Sequence, residues 1–105
     1  MKFHVSRHAS VSIEAIFESI LTDNPPVAAK WLRELDRKLA RIEEFPESGR
    51  VVPEFGIHEL REVILGDYRV LYFLGRERQT VVCVIHGARL LKFRRDVEPG
   101  LREDY

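Results

Sequence analysis

His58-Glu59-Leu60-Arg61-Glu62-Val63-Ile64-Leu65-Gly66-Asp67-Tyr68-Arg69-Val70-Leu71-Tyr72-Phe73-Leu74 is the stretch that decides the fold. Two runs rich in branched and aromatic residues are separated only by Gly66-Asp67. Glycine in first place predicts a two-residue hairpin with a type II′ turn. That loop sets a register: Leu65 opposite Tyr68, Val63 opposite Val70, Arg61 opposite Tyr72. Directly paired residues share a face. This face is mostly apolar and is expected to carry the helices, with Arg61 at its far end. The other face sets Ile64, Glu62, Leu60 and His58 against Arg69, Leu71 and Phe73. It is too polar for a core and too apolar for idle surface. Arg69 falls diagonal to Glu62, within ion-pair reach. A cross-strand structural pair is the commoner meaning of such spacing, and a guanidinium aimed at a ligand is the sharper one.

Downstream, Gly75-Arg76-Glu77-Arg78-Gln79 leads into a third β run, Thr80-Val81-Val82-Cys83-Val84-Ile85-His86. A cationic tail follows: Gly87-Ala88-Arg89-Leu90-Leu91-Lys92-Phe93-Arg94-Arg95. Isolated charges are costly to bury, so the face bearing Arg69 is expected to meet something outside the chain. Upstream, Ser6 is placed to cap a helix whose apolar stripe is Ala9, Ile13, Ile16 and Ile20. Asp23-Asn24-Pro25-Pro26 ends that helix and starts another, with Asn24 as cap and proline in the first turn. Ala28, Leu32, Leu35, Leu39 and Ile42 then step by four, three, four and three. The opposite side of the second helix, from Lys30 to Glu44, alternates in sign and reads as a solvated face. Phe45-Pro46-Glu47-Ser48-Gly49-Arg50 closes the hairpin, and Pro53 and Gly56 keep the next stretch irregular. Phe3-His4-Val5 is a short strand, at an edge or inside the sheet. The expected fold is α+β: an N-terminal strand, an antiparallel two-helix hairpin, a three-stranded antiparallel sheet and a short basic C-terminal segment.

One hundred and five residues make a single domain, 1–105, with one modest core. Hydrophobic content of 45% and charged content of 32% exclude a disordered chain. Formal net charge is zero, so any nucleic-acid contact would need a local basic patch. The lone Cys83 cannot form an internal disulfide, and no stretch resembles a secretory leader or a membrane span. A cytoplasmic protein with no membrane partner is expected. His4, His8, His58 and His86 lack ligand spacing, so neither metal nor other cofactor is expected.

The helical hairpin, Phe45-Pro46-Glu47-Ser48-Gly49-Arg50, Leu60-Arg61-Glu62, Tyr68-Arg69-Val70-Leu71-Tyr72 and His86-Gly87-Ala88-Arg89 together resemble the RelE/ParE superfamily of toxins. These belong to type II toxin–antitoxin systems. The likeness covers nearly the whole chain, and the combination of Tyr-Arg-Val-x-Tyr with His-Gly-Ala-Arg is fairly specific. It implies a cognate antitoxin that wraps and neutralises the toxin in a hetero-oligomeric complex. RelE-like members cut messenger RNA on the ribosome without metal, whereas ParE-like members inhibit DNA gyrase. Cutting RNA through its 2′-hydroxyl needs a base, an acid and cations on the phosphorane. Arg69 and Arg89 match the positions of two phosphate-binding arginines in RelE-like enzymes. Where the proton-transfer tyrosine would stand, this chain has Arg95, with Phe93 nearby. The lysines of that branch are missing from 54–60. These departures favour the ParE-like side.

Three functions are therefore compared. The first is a growth inhibitor that binds a target such as gyrase, with Arg69, Arg89, Lys92, Arg94 and Arg95 as docking charges and plasmid stabilisation as a family role. The second is a ribosome-dependent mRNA endonuclease, with Arg69 and Arg89 on the phosphate and His86 or Glu62 moving protons. The third is an inactive homologue kept as a binding partner. Guanidinium groups 69 and 89 are expected to stand exposed on one concave surface. Trp31 and Phe17, at the flanks of the helical stripes, are candidate antitoxin anchors or closures of the core edge.

Overall fold

The computed structural model describes residues 2–102. Its elements are β1 (Lys2–Val5), α1 (Arg7–Asp23), α2 (Pro25–Glu44), β2 (Arg50–Val51), β3 (Leu60–Leu65), β4 (Tyr68–Leu74), β5 (Arg78–His86) and α3 (Glu98–Arg102). The strands form one sheet in the order β1-β5-β4-β3-β2. β3, β4 and β5 are its antiparallel centre, as the sequence predicts. β1 is an edge strand parallel to β5, and the two residues of β2 extend the other edge.

The hairpin has the expected register, Leu65 with Tyr68, Val63 with Val70 and Arg61 with Tyr72. Gly66 takes φ of 59°, while among the described residues no non-glycine residue, Asp67 included, has positive φ, as a type II′ turn requires. Both helix starts are also as read. The Ser6 hydroxyl accepts the Ala9 N–H at 3.0 Å, and the Asn24 side-chain oxygen accepts the Val27 N–H at 3.3 Å. The two helices cover one sheet face, where Trp31, Leu35 and Ile42 pack with Leu65, Val70, Tyr72, Val81 and Val84.

The opposite face departs from expectation. Instead of waiting for a foreign partner, it is covered by the chain's own tail. Residues Phe93–Val97 form a π-helical turn that runs into α3. Leu91 and Val97 are buried there against Leu60, Leu71, Val82, Cys83 and Ile85, making a second small core. A bulge makes this possible. Leu71 pairs with Cys83 but Tyr72 pairs with Val81, leaving Val82 unpaired, so Val82 and Cys83 both face the tail. At Gly100 a Cβ would collide with the Val82 carbonyl oxygen, so only glycine lets α3 lie this close to β5.

The Phe45–Arg50 segment is pinned to the sheet. The Tyr72 hydroxyl donates to Pro46 O at 2.6 Å and accepts the Gly49 N–H at 2.9 Å. Arg61, buried beside it, donates to the carbonyl oxygens of His58 and Gly49 at 2.7 and 3.1 Å. A buried cation satisfied by backbone carbonyls in this way ties two loops together.

Candidate functional site

Arg69 sits in mid-β4, paired with Ile64 on one side and Ile85 on the other, on the tail-covered face. It is only 8% exposed. Its Nε donates to Glu62 Oε1 at 2.6 Å. Its two terminal nitrogens grip both oxygens of Glu54, at 2.5 and 2.8 Å. The second oxygen of the fully buried Glu62 accepts from Arg50 Nε at 2.6 Å. Four charges of alternating sign, Arg50, Glu62, Arg69 and Glu54, thus form one compensated chain. Removing any inner member would strand a buried charge.

The exposure expected for Arg69 is therefore corrected. Its guanidinium is closed by carboxylates of its own chain, and the cross-strand reading of the Arg69–Glu62 diagonal is the one realised. The Arg69 hydrogen bonds, working against partial burial, hold the Glu54 carboxyl down to about 2 from an ordinary 4.5. The hydrogen bonds that Arg69 donates to Glu54 likewise raise the Arg69 pKa. The sequence does not point to Glu54, because residues 52 to 59 have no strand period from which a register could be read.

Arg89 follows β5 and stands in the open, with its Nη2 3.5 Å from Asp96 Oδ1. Arg95 wraps the same carboxylate at 2.9 and 3.0 Å and donates to Leu90 O at 2.6 Å. Asp96 also accepts the Lys92 backbone N–H at 2.8 Å. Burial opposes its ionisation, yet Arg95, the Lys92 amide and the charge of Arg89 together hold its carboxyl below the ordinary 3.8. The side chains of Arg89 and Arg95 remain about half exposed. Lys92 and Arg94 are exposed, and neither head group has an acidic partner among the described residues. Lys92, Arg94 and the outer parts of Arg89 and Arg95 thus form the cationic tail surface, and Arg69 lies inside.

His86 is exposed at the end of β5 and pairs with Tyr68, which puts it on the helical side of the sheet. Its ring meets Tyr68 edge-on at 5.4 Å, and Tyr68 meets Trp31 at 5.8 Å. His86 Nδ1 accepts the Ala88 N–H at 3.1 Å, which assigns the neutral ring's proton to Nε2. Arg69 and Glu62 occupy the other face, so His86 does not join them.

Trp31 is buried at 7% exposure and belongs to the main core, which is the core-closing one of its two readings. Phe17 is half-buried, on a helix where Ile13, Ile16 and Ile20 are half-buried and only Ala9 is fully covered. Val11, Leu21 and Val27 are exposed on the same hairpin. Cys83 is buried, and that burial pushes its thiol up to about 12, where it is inert at neutral pH. Among the described residues no cluster of three or more His, Cys, Asp or Glu could hold a metal. No described helix is long and apolar enough to cross a membrane.

A helical hairpin on one face of a mostly antiparallel sheet, with a buried mid-strand arginine and a cationic end, defines an α+β domain. The family model described as "ParE toxin of type II toxin-antitoxin system, parDE" matches residues 4–91, and the chain belongs to that family. A solved structure titled "Chromosomal ParDE TA system from P. aeruginosa" superposes with a TM-score of 0.69 at 13% identity. It covers 82% of this chain and 95% of the other. No curated protein matches the sequence.

Proposed function

We propose that this toxin arrests growth by binding an intracellular target, with DNA gyrase the leading candidate, and that a cognate antitoxin neutralises it in a hetero-oligomeric complex. The observation that carries the reading is the dispersal of the groups RNA cleavage would need. Arg69 and Glu62 spend their charges on each other and on Glu54 and Arg50. His86 lies across the sheet from them, and Phe93 and Arg95 stand where a proton-transferring tyrosine is required. What remains available is a cationic surface of Lys92, Arg94, Arg89 and Arg95. Such charges steer encounter and select a partner.

For the antitoxin, the half-covered α1 face favours a docked amphipathic segment that would lie over Phe17 and Leu21, one turn apart on the flank of the helix. Trp31 would support that face from beneath. Inducing the toxin without its antitoxin, in the cytoplasm where this reading puts it, tests the proposal. Message ends should stay intact while plasmid supercoiling falls. New cuts inside messages, with supercoiling unchanged, would replace it with the nuclease reading.

A further inference from the structure

The edge of the sheet opposite β1 is only partly covered. β2 pairs with Arg61 and Glu62 and goes no further along β3. The Val52 N–H donates to Leu60 O at 3.1 Å, so alternate residues of β3 turn their backbone groups outward: Leu60, Glu62 and Ile64. Leu60 meets Val52, just past β2, and Glu62 meets β2 itself. The N–H and C=O of Ile64 face outward past the end of β2, and its side chain is 47% exposed. Alongside runs a groove of about 470 Å³, with Ile64 to Gly66 as one wall and one side of α2 as the other. Its volume suits a short run of side chains better than a lone ion.

The helical wall presents Arg37, Lys38 and Arg41 on one side. None of the three has an acidic partner among the described residues; Arg41 only stacks on Phe45, at 5.6 Å. Glu34, at the end of the row, leans towards Lys30 at 3.9 Å. From sequence this side of α2 read as a solvated face of balanced charge. In the fold its cations are gathered beside an open strand edge.

We propose that this groove takes up an extended, acidic segment of a partner polypeptide as an added β-strand beside Ile64. A peptide backbone offers a donor for the Ile64 C=O and an acceptor for its N–H. Alternate side chains of the added strand would lie towards Arg37, Lys38 and Arg41, where carboxylates fit, while the others cover Ile64. A nucleic-acid phosphate fits less well, because it brings only acceptors to an edge that also presents an outward carbonyl. The site is separate from the cationic tail and from the α1 face.

A fluorescein-labelled peptide of alternating glutamate and valine tests this, with a lysine–valine peptide and a short oligothymidylate as controls. The acidic peptide should bind in low salt and slow hydrogen exchange at the Ile64 amide. Arg37→Glu with Arg41→Glu should weaken it about tenfold, and both changes lie on an exposed helical face that folding does not need. Failure of the acidic peptide to bind would overturn the proposal. So would binding that ignores the double variant or leaves Ile64 exchange unchanged, and so would displacement of the peptide by oligothymidylate. Growth arrest by the double variant is a separate readout, so losing this site leaves the gyrase reading standing.

Discussion

Arg69 shows how burial changes the meaning of a charged residue in a strand. A guanidinium with three good carboxylate bonds inside the protein is a strut, and its partner Glu62 has no solvent to fall back on. Arg69→Ala should therefore cost about 3 kcal/mol of stability in urea denaturation, a larger loss than any exposed cation of the tail would cause. Glu54 adds a pH signature. Its folded value of about 2 lies below its ordinary 4.5, so its stabilising contribution is complete above 4.5 and lost as pH falls from there towards 2. Wild type and Glu54→Gln should accordingly differ in stability at neutral pH and converge at the acid end. A constant difference across that window would show that the Arg69–Glu54 pair contributes little. The Arg69–Glu62 diagonal was legible because a two-residue loop leaves no freedom in register. The Glu54 half was not, since it comes from an aperiodic loop that only the finished fold brings over β4.

At the scale of elements, the two loops held by Tyr72 and Arg61 matter most. Tyr72→Phe keeps the ring in the core but removes a donor to Pro46 and an acceptor from Gly49. A loss of about 1–2 kcal/mol follows, readable as a lower Tm. Gly100→Ala should be worse than its size suggests, at about 1–3 kcal/mol, because the added carbon meets the Val82 backbone rather than a side chain that could turn away. The helices and the hairpin could be read from sequence because their apolar residues recur at a fixed period and their caps are marked by Ser6, Asn24 and Gly66. The tail could not. Leu91, Val97 and Leu101 follow no helical or strand period, and the cations among them masked a segment that folds back as a lid on the second core. β2 carries no period either, being two residues long.

For the molecule as a whole, one sheet with two covered faces separates three jobs. The helical side holds the main core and leaves the α1 face half-covered, where our proposal seats the antitoxin. The centre of the opposite side is neutralised internally. The cations left over gather where the tail meets solvent. Deleting the tail is a poor test of its charges, because Leu91 and Val97 would leave the second core with it. Reversing the two outermost charges avoids that. Growth arrest on induction of the Lys92→Glu/Arg94→Glu chain, with its Tm measured beside wild type, tests the account most directly. Arrest should vanish while the Tm stays near that of wild type; undiminished arrest by a chain so altered would contradict it.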